Sequence, residues 1–144
     1  MNKLLLLRNE KRTVYTSSGQ GDLGVVTAEI SALIDKNEGP IKLLNGVEGA
    51  KGGFGAAHIE ARRLKHLTGL GYHSVVAYVH FVVSNYDRIA AQDDGRLIFL
   101  REHNNYHHRV IAQWDPELAI WSVTTALPTT SARNLDIVWT RTGG

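Results

Sequence analysis

The sequence predicts an α+β domain: N-terminal helices packed on a C-terminal antiparallel β-sheet of four or five strands. Two observations point there. Apolar residues recur at helical spacing up to about residue 90, whereas β-branched runs and period-two alternation dominate from Arg96 onward. The chain also has 144 residues, 43% of them hydrophobic, which suits one compact domain with a single core.

The elements follow in order. "MNKLLLLRNEKR" holds a four-leucine run, too short for a secretory signal core, and reads as a strand or packing segment. Residues 16–24, "TSSGQGDLG", are a loop by their Ser, Gly and Asp content. A short helix follows, with Thr27 as cap, Glu29 in its first turn, Ile30, Leu33 and Ile34 on one face, and Gly39 as its end. "GPIKLLNG" reads as a short strand ending in a turn. Gly52 to Gly55 form a glycine-rich loop that opens a helix over residues 55–68. In that helix Ala57, Ala61 and Leu64 share one side, and His58, Arg62 and His66 lie four apart on the adjacent face. Gly69 and Gly71 terminate it.

"HSVVAYVHFVVSNYDRIAAQ" is rich in β-branched residues. Its length, its Ser74 cap and the recurrence of Val75, Val79, Val82, Tyr86 and Ile89 predict a helix instead. "RLIFLRE", "YHHRVIAQW", "LAIWSVTTALP" and "NLDIVWTR" then read as strands, with "DPE" as a turn. "LAIWSVTTALP" is apolar on both faces and is expected at the centre of the sheet. Trp114, Trp121 and Trp139 are expected in the core or on a sheet face.

Composition narrows the function classes. The absence of cysteine excludes a disulfide scaffold and any cysteine-ligated metal site. No stretch approaches the ~20 apolar residues of a membrane-spanning helix, so a soluble chain without a membrane span is expected. A net charge of +2 and a pI near 9.0 are mildly basic and do not by themselves indicate nucleic acid. There are seven histidines, three of them in "REHNNYHHR". Histidine both gives and takes protons near neutral pH, which suits phosphate chemistry.

The segment "KGGFGAAHIEARRLKHL", residues 51–67, raises three readings. It lacks the lysine and hydroxyl of a P-loop and the βαβ context of a dinucleotide fingerprint, although its glycines could expose a helix N-terminus to a phosphate anion. "HIEAR" is not the metalloprotease pattern, and "HNNYHH" has only Glu102 as a nearby carboxylate, so no metal and no cofactor are assigned. The third reading is metal-free RNA cleavage. It needs a base for the 2′-hydroxyl, an acid for the leaving oxygen, and cations or donors for the phosphate. His58 and Arg62 on the helix could supply these, with Tyr106, Arg109, Thr124, Thr125, Thr140 and Arg141 on the strands.

The order "GPIKLLNG…KGGFGAAHIEARR", a helix, "GRLIFL", "YHHRVIAQW" and "WSVTTALP" resembles the barnase–EndoU–colicin–RelE-like superfamily of small ribonucleases. It is most similar to the branches found as toxin domains of contact-dependent growth inhibition systems and as phage nuclease domains. Gly53, Gly55, His58 and Ile59 match the Gly-x-Gly-x-x-His-Ile element of those branches. Thr124 to Pro128 match the Val-Thr-Ala-aromatic-Pro element imperfectly, with Leu127 at the aromatic position. The resemblance covers residues 39–142. It divides the chain into a variable N-terminal segment, 1–38, with a short helix, and a nuclease domain, 39–144, in one compact unit.

The resemblance implies a metal-independent endoribonuclease toxin that cleaves tRNA or another structured RNA. His58 is then the acid/base, Thr125 the strand hydroxyl on a phosphate oxygen, and Arg62, Arg109 or Arg141 the cation on the scissile phosphate. Tyr106 orients the ribose or stacks on a base, and Lys51, His66, Thr124 and Thr140 complete the RNA-binding set. Cleavage would leave a 2′,3′-cyclic phosphate. Such a toxin acts as a monomer in the target-cell cytoplasm after delivery from the producing bacterium, and a cognate acidic immunity protein neutralises it. The alternatives are a phage-encoded nuclease of the same fold and a non-catalytic RNA- or protein-binding module.

Overall fold

The computed structural model describes residues 9–49 and 52–142. The four-leucine run and Lys51 lie outside the described residues. The elements are β1 (Gly24–Val26), α1 (Ala28–Ile34), β2 (Gly39–Lys42), α2 (Gly55–Gly69) and α3 (Val75–Val83). There follow β3 (Arg88–Ala91), β4 (Leu97–His103), β5 (Tyr106–Asp115), β6 (Ile120–Thr129) and β7 (Asp136–Thr140). The α+β class holds. The sheet, however, has seven strands among the described residues, in the order β1-β2-β6-β5-β4-β3-β7, and not four or five.

The strands not expected from the sequence, β1 and β3, are short. β1 pairs antiparallel with β2, and β2 pairs parallel with β6, so residues before 39 enter the sheet. Leu23, Val26 and Ile30 belong to the same hydrophobic core as α2, α3 and the long strands. β3 was expected as the end of a long helix. Instead α3 stops at Val83, and Arg88–Ala91 pairs with β4 on one side and β7 on the other. Backbone pairing on both edges outweighs the helical spacing of Tyr86 and Ile89, whose side chains are apolar enough for either structure.

The helix caps match the sequence. The Thr27 hydroxyl accepts from the Ile30 amide at 3.2 Å, and the Ser74 hydroxyl accepts from Ala77 at 3.1 Å. α1 ends at Ile34 on a left-handed Asp35, four residues before Gly39, which opens β2. Its buried residue is Ile30, while Leu33 is 68% exposed. α2 packs through Ala56, Ile59 and Leu67, and not through Ala57, Ala61 and Leu64. Alanines on both sides of α2 gave the apolar pattern little contrast, and the β-branched Ile59 decides the face. Among the described residues no helix is long and apolar enough to cross a membrane.

β5 and β6 are the longest strands and the centre of the sheet. Val110 and Ala126 pair across them and both face the helix-side core. A smaller cluster of Ala90, Ile98 and Leu100, joined by Ile111, covers the opposite face. Trp121 is buried in the main core, and Trp114 and Trp139 pack against it. β4 and β5 are joined by Asn104 and Asn105, both with positive φ (50° and 68°), as a tight two-residue hairpin requires. The sheet curls so that its ends meet: the Tyr86 hydroxyl donates to the Val25 carbonyl at 2.7 Å, and α1 packs near β7.

His108 is a buried polar residue in the helix-side core, 2% exposed. Its Nδ1 lies 2.8 Å from the Tyr78 hydroxyl. Burial pushes its pKa below the usual value; a hydrogen bond to the His103 backbone opposes this, and the charges of His103, Arg101 and His107 reinforce it. The neutral ring donates to that backbone and accepts from Tyr78, whose own pKa burial holds far above the usual phenol range.

Unfolded His108 therefore binds more protons than native His108 below its ordinary pKa of 6.5. Its contribution is complete above that pH and is lost as pH falls below it. Urea denaturation is expected to show lower stability at pH 5.5 than at pH 7.5. Tyr78→Phe is expected to cost about 1–3 kcal/mol at pH 7.5, because Nδ1 loses its donor. A Tyr78→Phe variant as stable as wild type would contradict the buried hydrogen bond.

Candidate functional site

The connection from β2 to α2 builds the site. The chain turns at Gly46, with φ +69°, where any Cβ would overlap the Phe54 carbonyl. Val47 and Phe54 then exchange two backbone hydrogen bonds of 3.0 and 2.9 Å, closing the loop between them. The Ala56 and Ala57 amides donate to the Leu44 and Asn45 carbonyls at 2.9 and 2.8 Å. These first amides of α2 are thus occupied. The expectation that the glycines expose this helix N-terminus to a phosphate is corrected.

The closed loop carries Glu48 to the first turn of α2. Glu48 Oε1 lies 3.3 Å from His58 Nδ1, and its Oε2 lies 3.3 Å from Arg62 Nε. The Gly49 amide donates to Oε1 at 2.9 Å. Gly53 packs against the pair: a Cβ there would stand 2.8 Å from His58 Nδ1 and 3.2 Å from Glu48 Oε1. His58 and Arg62 share a helix face because they are one turn apart, and one carboxylate spans them.

The electrostatics set the tautomer. Partial desolvation works to raise the Glu48 pKa, but the Gly49 amide, His58 and Arg62 together hold the carboxyl below its usual range. Glu48 is therefore ionised at neutral pH and can only accept hydrogen bonds. His58 must donate from Nδ1, which leaves the Nε2 lone pair as the basic site of the neutral ring. The His58 side chain is 19% exposed and that of Arg62 is 55% exposed, so both are within reach of a ligand from solvent.

A cavity of about 390 Å³ borders the same glycine loop. Gly52, Gly53 and Phe54 line it, together with Gln113, Ser122 and Thr124 of β5 and β6. Thr124 sits in a β-bulge opposite Ile111, and its hydroxyl donates to the Ile111 carbonyl at 3.0 Å. Lys11, at the edge of the cavity, forms a 2.8 Å ion pair with Asp115. Gly53 is common to the cavity and to the His58 contact.

The other sequence-predicted residues are dispersed. Strand alternation turns Arg109 and Thr125 away from the helix-side core, to the face that also carries Gln113 and Ser122 of the cavity, but neither residue lines that cavity. Arg109 donates to the Thr129 hydroxyl at 3.2 Å and to the Ser131 carbonyl at 2.8 Å. Arg141 follows β7, three strands removed from β5, and its guanidinium holds the Tyr86 carbonyl at 2.6 and 3.2 Å. Thr140, the last residue of β7, pairs with Arg88 of β3. His66 stands about 12 Å along α2 from His58 by helical rise. It meets the Tyr106 ring edge-on at 6.4 Å, so these two form a separate grouping.

Two residues were missed. Glu48 is ten positions before His58 and reaches it only through the closed loop, so no periodic signal marks it. Arg63 lies on the packing side of α2 between Ile59 and Leu67, and its Nε is enclosed without a hydrogen-bond acceptor. Among the described residues no three His, Asp or Glu side chains converge to hold a metal ion.

The Glu48–His58 pair has a direct spectroscopic test. At pH 9, where imidazoles are generally neutral, wild-type His58 is expected to show the Nδ1–H tautomer in long-range ¹H–¹⁵N spectra. Glu48→Leu is expected to shift it toward Nε2–H. An Nε2–H tautomer in the wild type would mean that the carboxylate does not hold the ring. Comparison with known proteins returns no match: no family model, no curated protein and no solved structure matches this chain.

Proposed function

We propose that this protein is a metal-independent endoribonuclease that cleaves tRNA or another structured RNA, and that it serves as a toxin between bacteria. The observation that carries the reading is the Glu48–His58–Arg62 constellation: an imidazole oriented by an ionised carboxylate, with a guanidinium one turn away. His58 Nε2 takes the ribose 2′-hydroxyl proton, and the 2′-oxygen attacks the adjacent phosphorus. The bond from phosphorus to O5′ breaks, leaving a 2′,3′-cyclic phosphate, and O5′ takes a proton from water. Arg62, whose Nε is held by Glu48, turns its remaining N–H donors to the phosphate oxygens. A general base and a permanent cation thus stand on one helix face.

Magnitudes decide against one pairing of histidines. The attacked and leaving oxygens of a phosphodiester flank a single phosphorus, while His66 is about 12 Å from His58. His66 therefore cannot be the acid for the bond that His58 activates. It binds RNA farther along, with Tyr106 beside it. Thr124, at the cavity beside the glycine loop, is better placed than Thr125 to meet a substrate that reaches His58. A mildly basic chain is electrostatically complementary to the acidic immunity protein that this reading requires.

The test is cleavage of total bacterial RNA in EDTA by purified wild type and His58→Ala. Wild type is expected to cut tRNA-sized RNA to cyclic-phosphate ends. His58→Ala is expected to lose about 10²–10⁴-fold in rate, and Glu48→Leu to lose less because the base remains. Intact RNA with wild type in EDTA, or equal cutting by His58→Ala, would overturn the reading.

A further inference from the structure

The cavity beside the glycine loop has a composition that the acid/base site does not explain. Two aromatic side chains, Phe54 from the loop and Trp114 from β5, contribute to its lining and are only partly buried. The lining also includes groups that can read polar edges: the Gln113 amide, the Ser122 hydroxyl and the Thr124 hydroxyl. Thr124 donates its proton to the Ile111 carbonyl at 3.0 Å, so its oxygen is left to act as an acceptor. Gln113 is exposed and carries both a donor and an acceptor, the latter within 3.4 Å of Arg96. The lining cations are paired, Lys11 with Asp115 at 2.8 Å and Arg96 with Asp94 at 3.5 Å, and Glu117 adds a negative charge to the rim. A neutral, flat, heteroaromatic ligand suits such walls better than an anion does.

We infer that this cavity is a nucleobase subsite, which receives the unstacked base of a single-stranded ribonucleotide whose sugar and phosphate lie at His58. Its volume of about 390 Å³ admits a base with part of its ribose, and it falls in the usual range of about 300–1,000 Å³ for small-molecule sites. The aromatic rings supply stacking, and the amide and hydroxyls supply edge recognition. Gly53 connects the two sites. Its missing side chain lets the loop backbone line the cavity on the way to the His58 ring, where a Cβ would stand 2.8 Å from Nδ1. The inference rests on the nuclease reading for the position of the phosphate, and it gives that reading a source of base preference.

The probes are the four nucleoside 3′-monophosphates, titrated into wild type and His58→Ala, with inorganic phosphate as the base-free control. In ¹H–¹⁵N spectra at least one nucleotide is expected to shift Gly52, Gly53, Gln113 and Thr124 in both proteins, and phosphate alone is not. Gln113→Leu, a change at an exposed residue, is expected to weaken that nucleotide about tenfold without lowering the melting temperature. Thr124→Val is expected to alter which base is preferred. No binding by any of the four, shifts that map elsewhere, or the same shifts with phosphate alone would overturn the subsite. Failure of the two readings is separable. Nucleotide binding here without RNA cleavage sinks only the enzymatic reading. His58-dependent cleavage with unchanged kcat/KM and base preference in Gln113→Leu sinks only the subsite.

Discussion

The backbone closure between β2 and α2 is the constraint from which the site follows. The carbonyls of Leu44 and Asn45 hold the first amides of α2, and Val47 and Phe54 pair across the loop. This closure demands glycine at position 46, where a side chain would collide with the Phe54 carbonyl. It fixes the start of α2 against the sheet and sets Glu48 beside the imidazole one turn into the helix. Two of the glycines that look like a phosphate loop in the sequence do different work: Gly53 permits the close approach of the loop to His58, and Gly55 that of α2 to the Leu44 carbonyl.

Much of the fold was legible because its signals are local. Thr27 and Ser74 mark helix starts through short-range hydrogen bonds to amides three residues on. The four C-terminal strands carry enough β-branched and aromatic residues to be seen singly. What was not legible depends on distant partners. Strands as short as Gly24–Val26 and Arg88–Ala91 exist because neighbouring strands pair with them, and their own sequences are too brief to show a period. The packing face of α2 was likewise set by what lies beneath Ile59, since alanines on both sides blur the apolar stripe.

The site divides along the same line. His58 and Arg62 were recognisable from their spacing of one helical turn. Glu48 was not, because only the loop closure brings it near. The spread of Arg109, Thr125, Thr140 and Arg141 over other positions and strands reflects register and strand order, which a list of residue types cannot convey. Histidine also serves two opposite ends in this chain. His108 is buried, neutral and locked between Tyr78 and a backbone carbonyl, whereas His58 keeps a partly exposed ring with its proton placed by a carboxylate. Residue type suggested phosphate chemistry for both, and burial separates them.

The central claim is that the imidazole held by Glu48 removes a proton from a ribose 2′-hydroxyl. Its most direct test uses an RNA oligonucleotide that carries a single 2′-deoxy nucleotide on the 5′ side of a mapped cut, incubated in EDTA with the wild-type protein. The account requires cleavage to vanish at that bond and to persist at other cut sites in the same strand. Undiminished cleavage at the deoxy position would show that the 2′-oxygen is not the nucleophile and would contradict it.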